Sequence, residues 1–244
     1  MRDPMISTRR PLSGTAAPST VGHAPAFRIA WLGVLLAAGA CGMDVGSDSS
    51  HKVNGSVHVE AGKPPASAES VNGSIHIDAS AAVTEASTVN GSIHVGAGAT
   101  ASAVKSVNGG ITLDEGARVS GGVSAVNGSL KLKDGAEVAG ALRNVSGNIE
   151  LRGAHVAGGI HTVSGDVSVL GSSHVEGGIL VQKPGGSLIT ISGGPSRVVI
   201  GPGATVAGGM RFEREVRLYV SDKATIGPVS GATAITFSGD TPPG

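Results

Sequence analysis

The sequence predicts an all-β chain, a single-stranded parallel β-helix (solenoid) of about 18 residues per three-strand turn. Three observations predict it. First, one phrase recurs: Val53-Asn54-Gly55-Ser56-Val57, Val71-Asn72-Gly73-Ser74-Ile75, Val89-Asn90-Gly91-Ser92-Ile93, Val107-Asn108-Gly109-Gly110-Ile111 and Val126-Asn127-Gly128-Ser129-Leu130. Looser copies follow at Val145-Ser146-Gly147-Asn148-Ile149 and Val163-Ser164-Gly165-Asp166-Val167. The leading valines lie 18, 18, 18, 19, 19 and 18 residues apart, and a fixed short period marks one unit stacked on itself. Second, apolar residues alternate between Gly-bearing corners, as in Ile111-x-Leu113 and Ala117-x-Val119, followed by a lone Val123. That is strand rhythm, and frequent Gly penalises helix. Third, 40 of 244 residues are Gly while aromatics are only 2%. Small branched side chains must therefore fill the interior, which suits a narrow coil better than a thick core.

In chain order, residues 1–40 read as a signal segment. They carry Arg2, Arg9, Arg10 and Arg28 against Asp3, then an apolar run from Ile29 to Ala40 that is too short to span a bilayer. The ending Ala38-Gly39-Ala40-Cys41 resembles the lipobox of bacterial lipoproteins, with Ala38 where Leu is usual. The resemblance implies cleavage before Cys41, acylation of that residue and anchoring in a membrane by several acyl chains. Gly42 rather than Asp after Cys41 implies, by the same resemblance, the outer membrane of the cell envelope rather than the inner. Residues 41–52 read as a flexible tether, small and polar without an apolar period.

Residues 53–240 are the predicted β-helix, of about 10 turns. In the phrase itself, Val is expected to point inward, while Asn and Gly turn the chain and the Asn side chains form a ladder. The only aromatics beyond the leader are Phe212, Tyr219 and Phe237, near Arg211, Glu213, Arg214, Glu215 and Arg217. Terminal turns must cover an open end, so these three aromatics are the candidates for a cap or a self-association contact. Residues 241–244 read as a disordered tail.

Net charge is zero, but the leader's arginines leave 14 basic and 17 acidic residues in the rest, with no basic cluster. That argues against nucleic acid as a partner. No P-loop, GxSxG or HExxH pattern occurs, and Asp114, Glu115, Asp134, Glu150 and Asp166 are dispersed at corners with no insertion longer than a few residues. The chain reads as non-enzymatic and without a cofactor. One constellation stands out: His58, His76 and His94 share a phase in three successive copies and form an outward column. Imidazoles at strand spacing can share a Zn²⁺ or Cu²⁺ ion. The same phase holds Thr112, Lys131, Glu150 and Ser168 later, and the column itself offers neither carboxylate nor cysteine. The expectation is therefore a solvent-facing column with no metal, these three histidines being the candidates.

The stretch 116–169 resembles bactofilins, a bacterial polymer-forming cytoskeletal family. The matching positions are Gly116-Ala117-Arg118-Val119, Gly135-Ala136-Glu137-Val138 and Gly153-Ala154-His155-Val156. The resemblance implies a right-handed coil and polymer formation; the unpaired backbone groups at the open ends of a β-helix make end-to-end association of the chain with itself the expected mode. The VNGSI copies are also similar to adhesin domains of bacterial surfaces. Two roles follow: a lipid-anchored scaffold or self-associating rod, and alternatively a surface adhesin that binds through its flat faces.

Overall fold

A computed structural model describes residues 49–184 and 194–243. It holds 26 strands and, among the described residues, no helix. Paired strands run parallel throughout, and each pairs with the strand one turn away rather than with its neighbour in sequence. The fold is a β-solenoid of about ten coils, as the repeat predicts. At the strand spacing of about 4.8 Å these coils span about 45–50 Å.

Stacking sets like over like. On the first face Val57, Ile75, Ile93, Ile111, Leu130, Ile149, Val167, Val198 and Leu218 pair in register, each over the next. None is more than 1% exposed. Burial of such a side chain contributes about 1.5–3 kcal/mol, so each column of this kind is a major stabilising element. Ala117, Val119 and Val123 line the other two faces in the expected inward phase.

The corner phrase works differently from the expectation. Val53 and Val126 are exposed, and Val71, Val89, Val107, Val145 and Val163 are half-buried. The inward position belongs to the residue before Val. Ser70, Thr88 and Ser106 are buried there and donate their hydroxyls to the carbonyls of Gly55, Gly73 and Gly91 in the coil before. Asn144 donates from the same place to Gly128 O. Strand alternation forces this inversion: with Ala68 inward, Ser70 must be inward and Val71 outward. Each polar side chain entering the core satisfies a corner carbonyl that burial would otherwise leave unpaired.

The Gly of the phrase is required by backbone contact. A Cβ on Gly73, Gly91, Gly109 or Gly128 would overlap the carbonyl of the corner Gly one coil earlier. The Asn ladder forms as expected: Asn72, Asn90, Asn108 and Asn127 each donate from Nδ2 to Oδ1 of the Asn before, at 2.9–3.1 Å.

Three strands per coil appear from Arg118 onward, for example Ile111–Leu113, Arg118–Val119 and Val123–Asn127. In the coils before, the second and third runs are one strand, Ala66–Asn72, Ala82–Asn90 and Thr100–Asn108. The strand Thr100–Asn108 pairs with both short strands of the next coil. The extra residue of the first 19-residue step falls at that split, since Ala101 pairs with Val119 but Val104 with Val123.

Two further boundaries differ from the sequence reading. The first strand starts at Ser50, three residues inside the stretch read as tether and ahead of Val53. Between the seventh and eighth coils the register steps by 31, Val167 pairing with Val198 and Ile179 with Met210. This step therefore holds about a dozen residues more than the repeat requires, longer than the insertions expected; Ile189-x-Ile191, read as strand, lies outside the described residues. Arg214 donates from Nη1 to Val163 O at 2.9 Å across this step, and the Arg197 amide donates to Asp166 Oδ1 at 2.8 Å.

Candidate functional site

The outward column of the first face is where chemistry-bearing side chains meet. His58, His76 and His94 occupy the middle of Val57–Val59, Ile75–Ile77 and Ile93–Val95 and pair in register. Their flanking residues point inward, so the imidazoles point out. The rings stack with centroids 5.3 and 4.9 Å apart and interplanar angles of 12° and 3°.

A carboxylate does join this column, contrary to the expectation. Asp78 lies two residues after His76, which at strand period places it on the same face. Its Oδ2 is 3.1 Å from His58 Nε2 and its Oδ1 3.6 Å from His76 Nε2. Asp114 takes the corresponding place two coils on, 2.8 Å from His94 Nε2, while its other oxygen pairs with Lys133 Nζ at 2.8 Å. That hydrogen bond and charge hold the Lys133 ammonium above its ordinary range. Gly96 stands where a third carboxylate would be, packed against Ile77 O and Ala79 N.

A second cluster of the same kind lies outside the repeated histidine phase of the sequence. His155 and His174 are register partners on the second face, their rings 5.5 Å apart. Glu176, two residues after His174, brings Oε1 to 2.8 Å from His155 Nε2. The signal that would have found both clusters is His-x-acid preceded by a His one coil earlier.

Comparison of the chain with protein-family models, curated proteins and solved structures finds no match in any of the three.

The remaining candidates separate in space. Phe212 is buried in the interior of the eighth coil. Tyr219 and Phe237 are instead on the outer face, packed with Val199 and against Leu170. Arg197 lies over the Tyr219 ring at 4.9 Å and donates to Pro243 O. The stretch read as a disordered tail thus returns along this face, where Asp240, Thr241 and Pro242 line a shallow depression with Asp166 and Val199. Phe237 and Tyr219 belong to this outer cluster, not to a lid over the open end. The last coil ends on Ala234, Ile235 and Thr236, all exposed.

Three of the five dispersed carboxylates, Asp114, Glu115 and Glu150, pair with cations. Glu150 is 2.6 Å from Arg152 and Glu115 is 3.8 Å from Lys133, around a shallow depression also lined by Lys131 and Asp134. Such exposed pairs contribute about 0–1 kcal/mol each. Cys41, the lipidation candidate, lies outside the described residues. Among the described residues no helix is long and apolar enough to cross a membrane.

Proposed function

We infer that this chain is a non-enzymatic structural rod of the bacterial cell envelope, one that associates end to end with copies of itself. Residues 1–40 direct it across the membrane, and acylated Cys41 anchors it, by preference to the outer membrane. The observation that carries the reading is the C-terminal coil. The strand Ala234–Phe237 pairs with Val216–Ser221 and with no other described strand, leaving its far edge open. Ala234 and Thr236 continue the interior columns of Leu218 and Val220, yet both are exposed. An open parallel edge above an uncovered interior column is a template for another coil of the same kind. Because the two ends of a parallel solenoid differ, such a contact is head to tail and generates an open filament.

Sedimentation velocity of the full chain in detergent tests this. Increasing concentration is expected to produce a growing series of polymers, and Thr236→Lys, which sets a charge at the end of the interior column, to reduce them to the protomer. A chain that remains monomeric at every concentration, or a Thr236→Lys variant that polymerises like the parent, contradicts the reading. Loss of membrane association in Cys41→Ala is expected separately, by fractionation of cells; retention of the variant with the membrane would remove the anchor from the account.

A further inference from the structure

We propose that this chain binds two transition-metal dications of the zinc class, each held by two histidines of adjacent coils and a carboxylate two residues beyond the second. The first site is His58, His76 and Asp78; the second is His155, His174 and Glu176. In each, one nitrogen from each imidazole and a carboxylate oxygen lie within 4.8 Å of one another.

The two sites are built by one rule on different faces. The lower coil supplies a His, and the next coil supplies His-x-acid at the same phase: His76-Ile77-Asp78 in one case, His174-Val175-Glu176 in the other. The register pairs His58 with His76 and His155 with His174 directly. Strand period two then puts the acid on the side of both rings. The solenoid therefore fixes the spacing of the ligands through its backbone, and only exposed side-chain torsions remain to be set.

The chemistry of the donor set selects the metal. Two imidazoles and one carboxylate suit Zn²⁺, Cu²⁺ or Ni²⁺, whereas Mg²⁺ and Ca²⁺ call for all-oxygen sets. Zinc bonds of about 2.0–2.2 Å need the donor atoms to close from their present separation, which rotation of solvent-facing side chains allows. Water completes a four-coordinate shell.

The neighbouring histidines show what the rule excludes. His94 stacks on His76, but its Nε2 is turned to Asp114, whose other oxygen is held by the Lys133 ammonium. A cation is already in that place. His51 pairs with Glu69 at 3.1 Å through a single imidazole. Asp78, in contrast, pairs with two imidazoles.

Binding at these places ties the first coil to the second and the sixth to the seventh, so the metal should also stabilise the fold by mass action. The test is equilibrium dialysis of the tag-free full chain against Zn²⁺ at pH 7.5, with bound metal counted by mass spectrometry. The expected result is two equivalents per chain, one in His76→Gln, one in His174→Gln and none in the double variant. Asp78→Asn should lose the first equivalent alone. Melting without metal should be unchanged in all four, since these side chains lie outside the core, and the rise in Tm on adding Zn²⁺ should vanish in the double variant. Any other stoichiometry in the parent chain, or bound zinc indifferent to these substitutions, overturns the proposal.

Discussion

The coils before Arg118 and those after it use one repeat but turn differently. In the early coils the second and third runs form one strand of seven to nine residues, with Glu85 and Ala103 paired in its middle. In the later coils the same place carries Gly121-Gly122, Gly158-Gly159 and Gly177-Gly178, and the run breaks into two short strands. There the backbones of successive corners lie in contact, so that a Cβ on Gly140 would overlap the Gly121 carbonyl carbon and oxygen. The second and third runs separate where glycine stands in place of Glu85 and Ala103, and they stay one strand where those side chains are present.

The largest expected effect breaks the later coils. Gly140→Ala drives a Cβ into the backbone below, and should cost about 3 kcal/mol or more by urea unfolding, within the class of severe strain. Ala103→Gly, at the equivalent place in an early coil, should cost only about 0.5–1 kcal/mol, the entropy of a glycine in a strand. Similar costs for the two would refute the distinction between the regions.

A middle-sized effect concerns the polar residues inside the corners. Thr88→Val removes the donor to Gly73 O and should destabilise by about 1–2 kcal/mol. Ala125 occupies the corresponding place one coil after Ser106 and carries no hydroxyl, so Ala125→Ser should raise stability by up to about 1 kcal/mol. A loss on adding that hydroxyl would show that the corner carbonyl is already satisfied.

A smaller effect appears only in the pH dependence. His161 sits in the later coils beside Arg143, and burial first, then the Arg143 charge, hold its imidazole below the ordinary value of 6.5. The unfolded chain then binds a proton that the folded chain refuses. Stability should be full above about pH 6.5 and fall as pH drops below it. His161→Gln should flatten that slope, as read by urea midpoints across the window. The smallest effect is expected on the outer ladder. Asn90→Ser should change stability by under about 0.5 kcal/mol, because the ladder is exposed and Ser146 and Ser164 occupy its later places.

The architecture was legible because the repeat states it three ways: period, alternation and glycine. What escaped was phase and long-range placement. The leading Val of the phrase is apolar, yet alternation from Ala68 sets it outward, and the hydroxyl of Ser70 goes in because a carbonyl awaits it. Asp78 escapes a search along the histidine phase because its carboxylate reaches the column from two residues away. The position of Phe237 near the end of the chain suggests a lid, but its side chain packs on the outer face. Its place beside Tyr219 follows from the alternation of the last two paired strands, Val216–Ser221 and Ala234–Phe237, which sets both side chains outward.

Electron microscopy of the full chain extracted in detergent tests the account most directly. The account predicts filaments many times longer than the roughly 45–50 Å of one ten-coil stack, with a strand repeat of about 4.8 Å along the axis. Isolated rods of a single protomer's length at every concentration would contradict it.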